Sequence, residues 1–179
     1  MKLIILDQAG VINQNSDTFI KTPDEWKPIP GSLEAIGRLT HAGYRVVIAT
    51  NQSGIGRGLL DMATYNTIND KMYKAVNQMG GRIDAIFFCP HTSADQCVCR
   101  KPATGMFEEI VQRYGVTLKT VPVIGDSLKD LQAAAAVGAI PILVLTGNGQ
   151  ITRTLPDIPA DTQVFENLAA AVDTLVGEA

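Results

Sequence analysis

The chain has 179 residues and a mass of 19.2 kDa, room for one domain and little more. With 46% apolar residues and only 18% charged, it can fill a hydrophobic core, which excludes a disordered chain. Fifteen Lys and Arg against 18 Asp and Glu leave a net charge of -3 without any basic run, so no nucleic-acid partner held by phosphate neutralisation is expected.

Short aliphatic runs alternate with amphipathic segments along the chain. Leu3–Leu6 is the first run, closed by Asp7. Leu33, Ile36 and Leu39 then repeat at helical spacing, with Gly43 where a C-terminal cap would stand. Arg45–Ala49 is the second run. Tyr65, Ile68, Met72, Val76 and Met79 form a longer helical stripe, with Asp61 as its N-cap and Gly80-Gly81 closing it. Ala85–Phe88, Val121–Ile124 and Ile140–Leu145 are further runs, with Ala-rich Ser127–Val137 before the last and a closing helix near Leu168–Val176. Near-continuous apolar strands suit a parallel sheet buried on both faces. The order β-α-β-α-β-α-β-α-β therefore predicts an α/β, doubly wound, open parallel sheet of Rossmann-like type over a single domain, 1–179. No apolar run is long enough to span a membrane, and the start is not a signal peptide, so no membrane partner and a cytoplasmic location are expected. Monomer is the expected state.

The chemistry of such a sheet lies beyond the carboxyl ends of its strands. The first run ends in Asp7-Gln8-Ala9-Gly10-Val11, the second in Thr50-Asn51-Gln52-Ser53, and the fourth in Gly125-Asp126-Ser127 with Asp130 one turn on. A parallel sheet brings Asp7, Thr50 and Asp126 to one edge. Two carboxylates held close repel unless a cation lies between them, which points to a hard ion such as Mg²⁺. A metal-bound carboxylate beside a hydroxyl, amides and a Lys fits phosphoryl transfer with Asp as nucleophile.

Asp7-x-x-Gly10-Val11, Thr50, Lys101 and Gly125-Asp126-Ser127-x-x-Asp130 resemble the motifs of the haloacid-dehalogenase-like phosphatases along nearly the whole chain. Thr50–Gly58 and Cys99-Arg100-Lys101-Pro102 resemble most the small bacterial heptose bisphosphate phosphatases within that superfamily. The resemblance implies Asp7 as nucleophile, with Mg²⁺ held by Asp7, Asp126 and the backbone carbonyl of Ala9. It implies Thr50 and Lys101 on the transferring phosphoryl group, and Asn15, Ser16, Asp17, Thr18, Asn51, Gln52, Ser53 and Arg100 on the phosphosugar substrate. Arg100 offers a fork geometry to a second phosphate that Lys cannot copy. Removal of the C7 phosphate of heptose 1,7-bisphosphate is the implied reaction; histidinol-phosphate hydrolysis is the alternative enzyme, and a catalytically silent phosphosugar-binding protein the alternative of another class.

One position departs from the family pattern. A second Asp normally lies two residues after the nucleophile, and here it is Ala9. That carboxyl protonates the leaving oxygen and later deprotonates the attacking water. Alanine can do neither, and its loss typically costs about 10²–10⁴-fold in rate. Ala9 is either a substitution introduced to arrest turnover or the natural residue of a repurposed relative. A third reading is a phosphonoacetaldehyde hydrolase, whose Asp-x-Ala-Gly pattern is similar. Such enzymes use a Schiff-base lysine on a helical cap, and the 42 residues at positions 8–49 leave no room for a cap.

Cys89-x-His91-x₅-Cys97-x-Cys99 uses all three cysteines and one of two histidines within eleven residues. Three thiolates and an imidazole suit tetrahedral Zn²⁺ with no open position, a structural site. Zinc there would fix the loop that carries Arg100 and Lys101. Gly54-x-Gly56-x-Gly58 lacks the spacing of a dinucleotide or Walker loop and reads as a tight, mobile substrate-side loop. Trp26, among Pro23, Pro28 and Pro30, is expected to pack a loop onto the domain; His41 is expected at a solvated helix end, and 156–160 in an exposed turn.

Overall fold

The computed structural model describes residues 1–177; the end of the expected single-domain span, residues 178 and 179, lies outside the described residues. The elements in order are β1 (Lys2–Leu6), α1 (Ser32–His41), β2 (Tyr44–Asn51), α2 (Ser53–Gly56), α3 (Met62–Gln78), β3 (Ile83–Cys89), α4 (Gly105–Tyr114), β4 (Pro122–Gly125), α5 (Leu128–Ala136), β5 (Ile140–Val144), α6 (Gly149–Thr152), β6 (Gln163–Phe165) and α7 (Leu168–Leu175). The six strands form one parallel sheet in the order β3-β2-β1-β4-β5-β6.

Alternation along each strand builds two cores. Ile4, Leu6, Val46, Ile48 and Ile124 face α1, α3 and α7, packing on Ile36, Leu39, Ile68, Met72 and Val172. Leu3, Ile5, Val47, Ala49 and Val123 point the other way, onto Met106, Phe107 and Ile110 of α4 and Ala133 and Ala134 of α5. Both faces of the sheet are thus covered, as continuous apolar strands require.

The five expected strands and the expected helices are present. Asp61 caps α3 by accepting a 2.8 Å hydrogen bond from the Thr64 amide. Gly43 lies just past α1 at φ +90°, and His41 is exposed at that helix's end. The stretch 156–160 is a turn with its first residues exposed. Trp26 is buried, and Lys71 Nζ ties its loop down through the carbonyls of Pro23 and Trp26, at 2.7 and 2.9 Å.

Two expectations need correction or extension. The stretch 54–58, expected as a tight, mobile loop, instead begins inside the single helical turn α2, and the Gly56 amide donates to the Pro90 carbonyl at 2.8 Å. A Cβ on Gly56 would overlap that carbonyl, so this glycine is there for close approach between two loops. The sixth strand, β6, is three residues long and largely exposed, too short for hydrophobic alternation to register.

Candidate active site

The neighbours of β1 are β2 on one side and β4 on the other, so the strand order reverses between β1 and β4. The crevice at such a reversal is where open α/β sheets place their ligands. The Asp7 amide donates to the Ile124 carbonyl at 2.9 Å, locking the residue after β1 to the end of β4. Its carboxylate then meets the residues that follow β4. One oxygen from each of Asp7, Asp126 and Asp130 lies within 4.8 Å of the other two.

Lys101 enters this group from the loop after β3. Its ammonium, with the side chain only 3% exposed, lies 2.6 Å from Asp130 Oδ1 and 3.2 Å from Asp7 Oδ1, and donates to the Ala49 carbonyl at 2.7 Å. Burial disfavours its charged form, but Asp130 and Asp7 outweigh burial and hold its pKa above the ordinary lysine value. The backbone of Lys101 is clamped as well. Asn51 Nδ2 donates to the Lys101 carbonyl at 3.1 Å, and the Lys101 amide donates to Asn51 Oδ1 at 3.0 Å.

The carboxylates respond to one another. Burial first, then repulsion from Asp130, push Asp7 up to about 8, with Lys101 opposing. Asp126 is raised by burial and Asp130, although the Asn148 amide (2.9 Å) and Asn15 Nδ2 (3.2 Å) both donate to its Oδ2. Gly10, at φ +84°, and Gly147, at φ +57°, pack against that carboxylate, and a Cβ on either would overlap it. Asp130 also accepts from Ser127 N and Oγ at 3.2 and 2.9 Å, closing a capping box at the start of α5. A cluster of mutually repelling carboxylates with free oxygen lone pairs fits a hard divalent cation.

Thr50 is buried at the end of β2, its Oγ1 accepting from Gln52 Nε2 at 3.2 Å. Ala9, Asn15, Asn51, Ser53, Arg100, Asp7 and Asp126 line one open cleft of about 610 Å³. Ser16, Asp17 and Gln52 instead line a second cavity of about 220 Å³, which shares Ala9, Asn15, Asn51 and Asn148 with the first. Thr18 lines neither; its hydroxyl pairs with Ser16 Oγ at 3.0 Å on the surface. Beneath the loop is a group that sequence reasoning missed. Gln8, 3% exposed, donates to Asn69 Oδ1 at 2.9 Å and accepts from Tyr65 Oη at 3.1 Å. Asn148, which reaches Asp126 from the loop after β5, was also missed. An Asn far away in sequence carries no signal by which it could be found.

The soft cluster is assembled as expected. Cys89 ends β3, and His91, Cys97 and Cys99 follow on the next loop, with one ligand atom of each within 4.8 Å of all the others. The Sγ separations are 2.6 Å for Cys89–Cys99, 3.5 Å for Cys89–Cys97 and 3.6 Å for Cys97–Cys99, and His91 Nδ1 is 3.3 Å from Cys99 Sγ. Without a cation these thiols cannot all ionise. Burial and its two neighbours push Cys99 up to about 12; at Cys97 burial is outweighed by the Arg100 amide and the surrounding donors, which bring it down to about 6. Three thiols and an imidazole turned on one point fit Zn²⁺.

An aspartate at a strand end, beside a lysine and a carboxylate cluster at the switch point, defines a class. The polynucleotide kinase 3 phosphatase family model matches residues 4–128, and the HAD-hydrolase-like model matches residues 98–171. The chain belongs to the haloacid-dehalogenase-like phosphatases. Within that class it is 58% identical, over 179 residues covering all of both chains, to D-glycero-beta-D-manno-heptose-1,7-bisphosphate 7-phosphatase of Bordetella bronchiseptica. A crystal structure of the D,D-heptose 1,7-bisphosphate phosphatase from B. bronchiseptica, complexed with magnesium and phosphate, superposes with a TM-score of 0.98 at 58% identity over 100% of each chain. The corresponding enzyme from Burkholderia thailandensis gives 0.80 at 48% identity, covering 99% of this chain and 100% of its own.

Proposed function

We propose that the chain is a cytoplasmic, single-domain phosphatase that removes the C7 phosphate of D-glycero-D-manno-heptose 1,7-bisphosphate, and that Ala9 makes its turnover slow. The observation that carries this reading is the contact of Asp7 with Lys101 at the β1–β4 crevice, in a chain similar over its full length to relatives named for that activity.

The Asp7 carboxylate is the nucleophile: one oxygen bonds to phosphorus as the ester P–O bond breaks, leaving an acyl phosphate. Lys101 and the Thr50 hydroxyl face the charge that spreads over the transferring oxygens. Asp130 keeps Lys101 aimed at Asp7. Asp7, Asp126 and the main-chain carbonyl of Ala9 would hold Mg²⁺, which supplies positive charge at the phosphoryl oxygens when bound. Arg100, on the open cleft, would receive the second phosphate in a bidentate pair. Between Asp7 and Thr50 lie a 3-10 turn at Pro23–Glu25, α1, most of β2 and their connecting loops, so no cap domain is inserted there among the described residues. The Cys89–His91–Cys97–Cys99 site would hold structural Zn²⁺ and so fix the start of the loop that ends in Lys101.

Ala9 supplies no carboxyl at its position to protonate the leaving sugar oxygen. That single fact also favours a second reading, a phosphosugar-binding protein without turnover. Phosphorus NMR of heptose 1,7-bisphosphate incubated with the chain and Mg²⁺ separates the readings. Slow loss of the C7 ester with the C1 ester retained is expected. Faster hydrolysis of histidinol phosphate, or loss of the C1 ester first, would assign another substrate, and binding with no loss of either ester would favour the silent protein.

A further inference from the structure

Ala9 lies at the junction of two spaces. On one side is the open cleft that holds Asp7, Asp126 and Arg100; on the other is the narrower cavity of about 220 Å³. The walls of the second space are mixed. Gln8, Asn13 and Tyr65 supply amides and a phenol, while Phe19, Trp26 and Ile68 supply apolar surface. A water molecule takes about 30 Å³, so a solute of a few heavy atoms fits. Its one acidic lining residue, Asp17, is exposed on a surface loop. Asp7 and Asp126 face the other space, and all three carboxylates nearby are already engaged: Asp7 and Asp130 by Lys101, Asp126 by Asn148 and Asn15.

Phosphate-ester cleavage expels an alkoxide, and an alkoxide leaves readily only if an acid protonates it. We infer that the space beside Ala9 is a binding site for a small monocarboxylic acid, of the size of formic or acetic acid, which supplies the proton transfer this chain lacks. The inference rests on the hydrolytic reading above. The bound acid gives its proton to the leaving sugar oxygen as the ester P–O bond breaks and Asp7 bonds to phosphorus. The carboxylate so formed then takes a proton from the water that attacks phosphorus. The P–O bond to Asp7 breaks, inorganic phosphate departs, and both Asp7 and the acid return to their starting forms. The Trp26 indole N–H and the Asn13 amide oxygen, buried polar atoms of lining residues with no hydrogen-bond partner among the described residues, suit a carboxyl group, and the apolar wall suits its methyl group.

Phosphate release from heptose 1,7-bisphosphate is measured with Mg²⁺ while sodium formate, sodium acetate or sodium chloride is raised at constant ionic strength. A saturating increase of about tenfold or more with formate and acetate is expected, part of the roughly 10²–10⁴-fold that a positioned acid–base group contributes. Chloride should give none, and neither should the Ala9→Asn variant, whose carboxamide fills the space. Trp26, the one tryptophan of the chain and part of the same wall, gives a readout that needs no turnover. Its fluorescence should titrate with acetate at the concentration that half-saturates the rate. A rise that stays linear, or equals that with chloride, or leaves Trp26 unmoved, overturns the site. An Ala9→Asp variant separates the two levels. If it gains activity while formate does nothing to the unmodified chain, the site fails and the hydrolytic reading stands; if neither changes the rate, the hydrolytic reading fails as well.

Discussion

Asp130 accepts a 2.6 Å hydrogen bond from Lys101 Nζ, and the same ammonium reaches Asp7 Oδ1 at 3.2 Å. Asp130 belongs to the first turn of α5, and Lys101 to the loop that leaves the soft-ligand cluster, so this pair ties two elements to the strand end that carries Asp7. The pair is buried, with both side chains 3% exposed. Its geometry orients one positive charge toward the point where a phosphoryl group would be transferred.

Replacing Lys101 by Met should therefore affect rate and stability together. Removing one electrostatic donor from the reaction centre costs roughly 10²–10³-fold in rate, best read in the faster Ala9→Asp background. Leaving Asp130 buried without its cation costs about 3–5 kcal/mol. Phosphate release and urea denaturation check the two effects. Unchanged stability would mean that the pair is not buried as described.

The metal-free chain should lose stability as pH rises. Burial and Asp130 push Asp7 up to about 8, from an ordinary value of 3.8 in the unfolded chain. The folded state then holds a proton that the unfolded state has released, so stability falls as pH rises from about 4 toward 8. A divalent cation removes the repulsion. The increase in melting temperature on adding Mg²⁺ should be larger at pH 8 than at pH 5. An increase that is the same at both, or larger at pH 5, would contradict the carboxylate cluster as the binding site.

Zinc analysis of the purified chain should find about one ion per molecule. Cys97→Ser should lower that content, and hydrogen exchange should then rise across residues 89–101 while the strands of the sheet stay protected. KM should rise with it, because Arg100 and Lys101 follow Cys99 directly. A fully protected loop in the zinc-free chain would show that the metal plays no part in positioning them.

Gln8 offers a stability test that leaves the acidic side chains unchanged. Gln8→Leu keeps a similar volume but strands Asn69 Oδ1 and the Tyr65 hydroxyl, both now bonded to Gln8. One buried polar group left without a partner costs about 1–3 kcal/mol. Thermal unfolding measures this, and a neutral substitution would mean that water replaces the amide.

The sheet was largely legible in the sequence, because its strands are buried on both faces and read as unbroken apolar runs bounded by Asp7, Asn51, Cys89 and Gly125. The three strand-end groups Asp7, Thr50 and Asp126 were legible for the same reason, and the soft cluster because its ligands lie close in sequence. What escaped was set by tertiary packing. The α2 turn is held by a contact between Gly56 and Pro90, and β6 by pairing with β5, neither of which leaves a period in the sequence. The Gln8–Asn69–Tyr65 network joins residues up to 61 positions apart, and its members are ordinary polar residues until the fold buries them. Asp130 was seen as part of a motif, but its hold on Lys101 required the structure.

The proposed reaction is hydrolysis of a sugar bisphosphate at a site that lacks one proton-transfer group. The rate of phosphate release from D-glycero-D-manno-heptose 1,7-bisphosphate, compared between the chain and its Ala9→Asp variant with Mg²⁺ present, tests it most directly. A gain of roughly 10²–10⁴-fold in kcat is predicted, with KM little changed. Equal rates for the two proteins would contradict it.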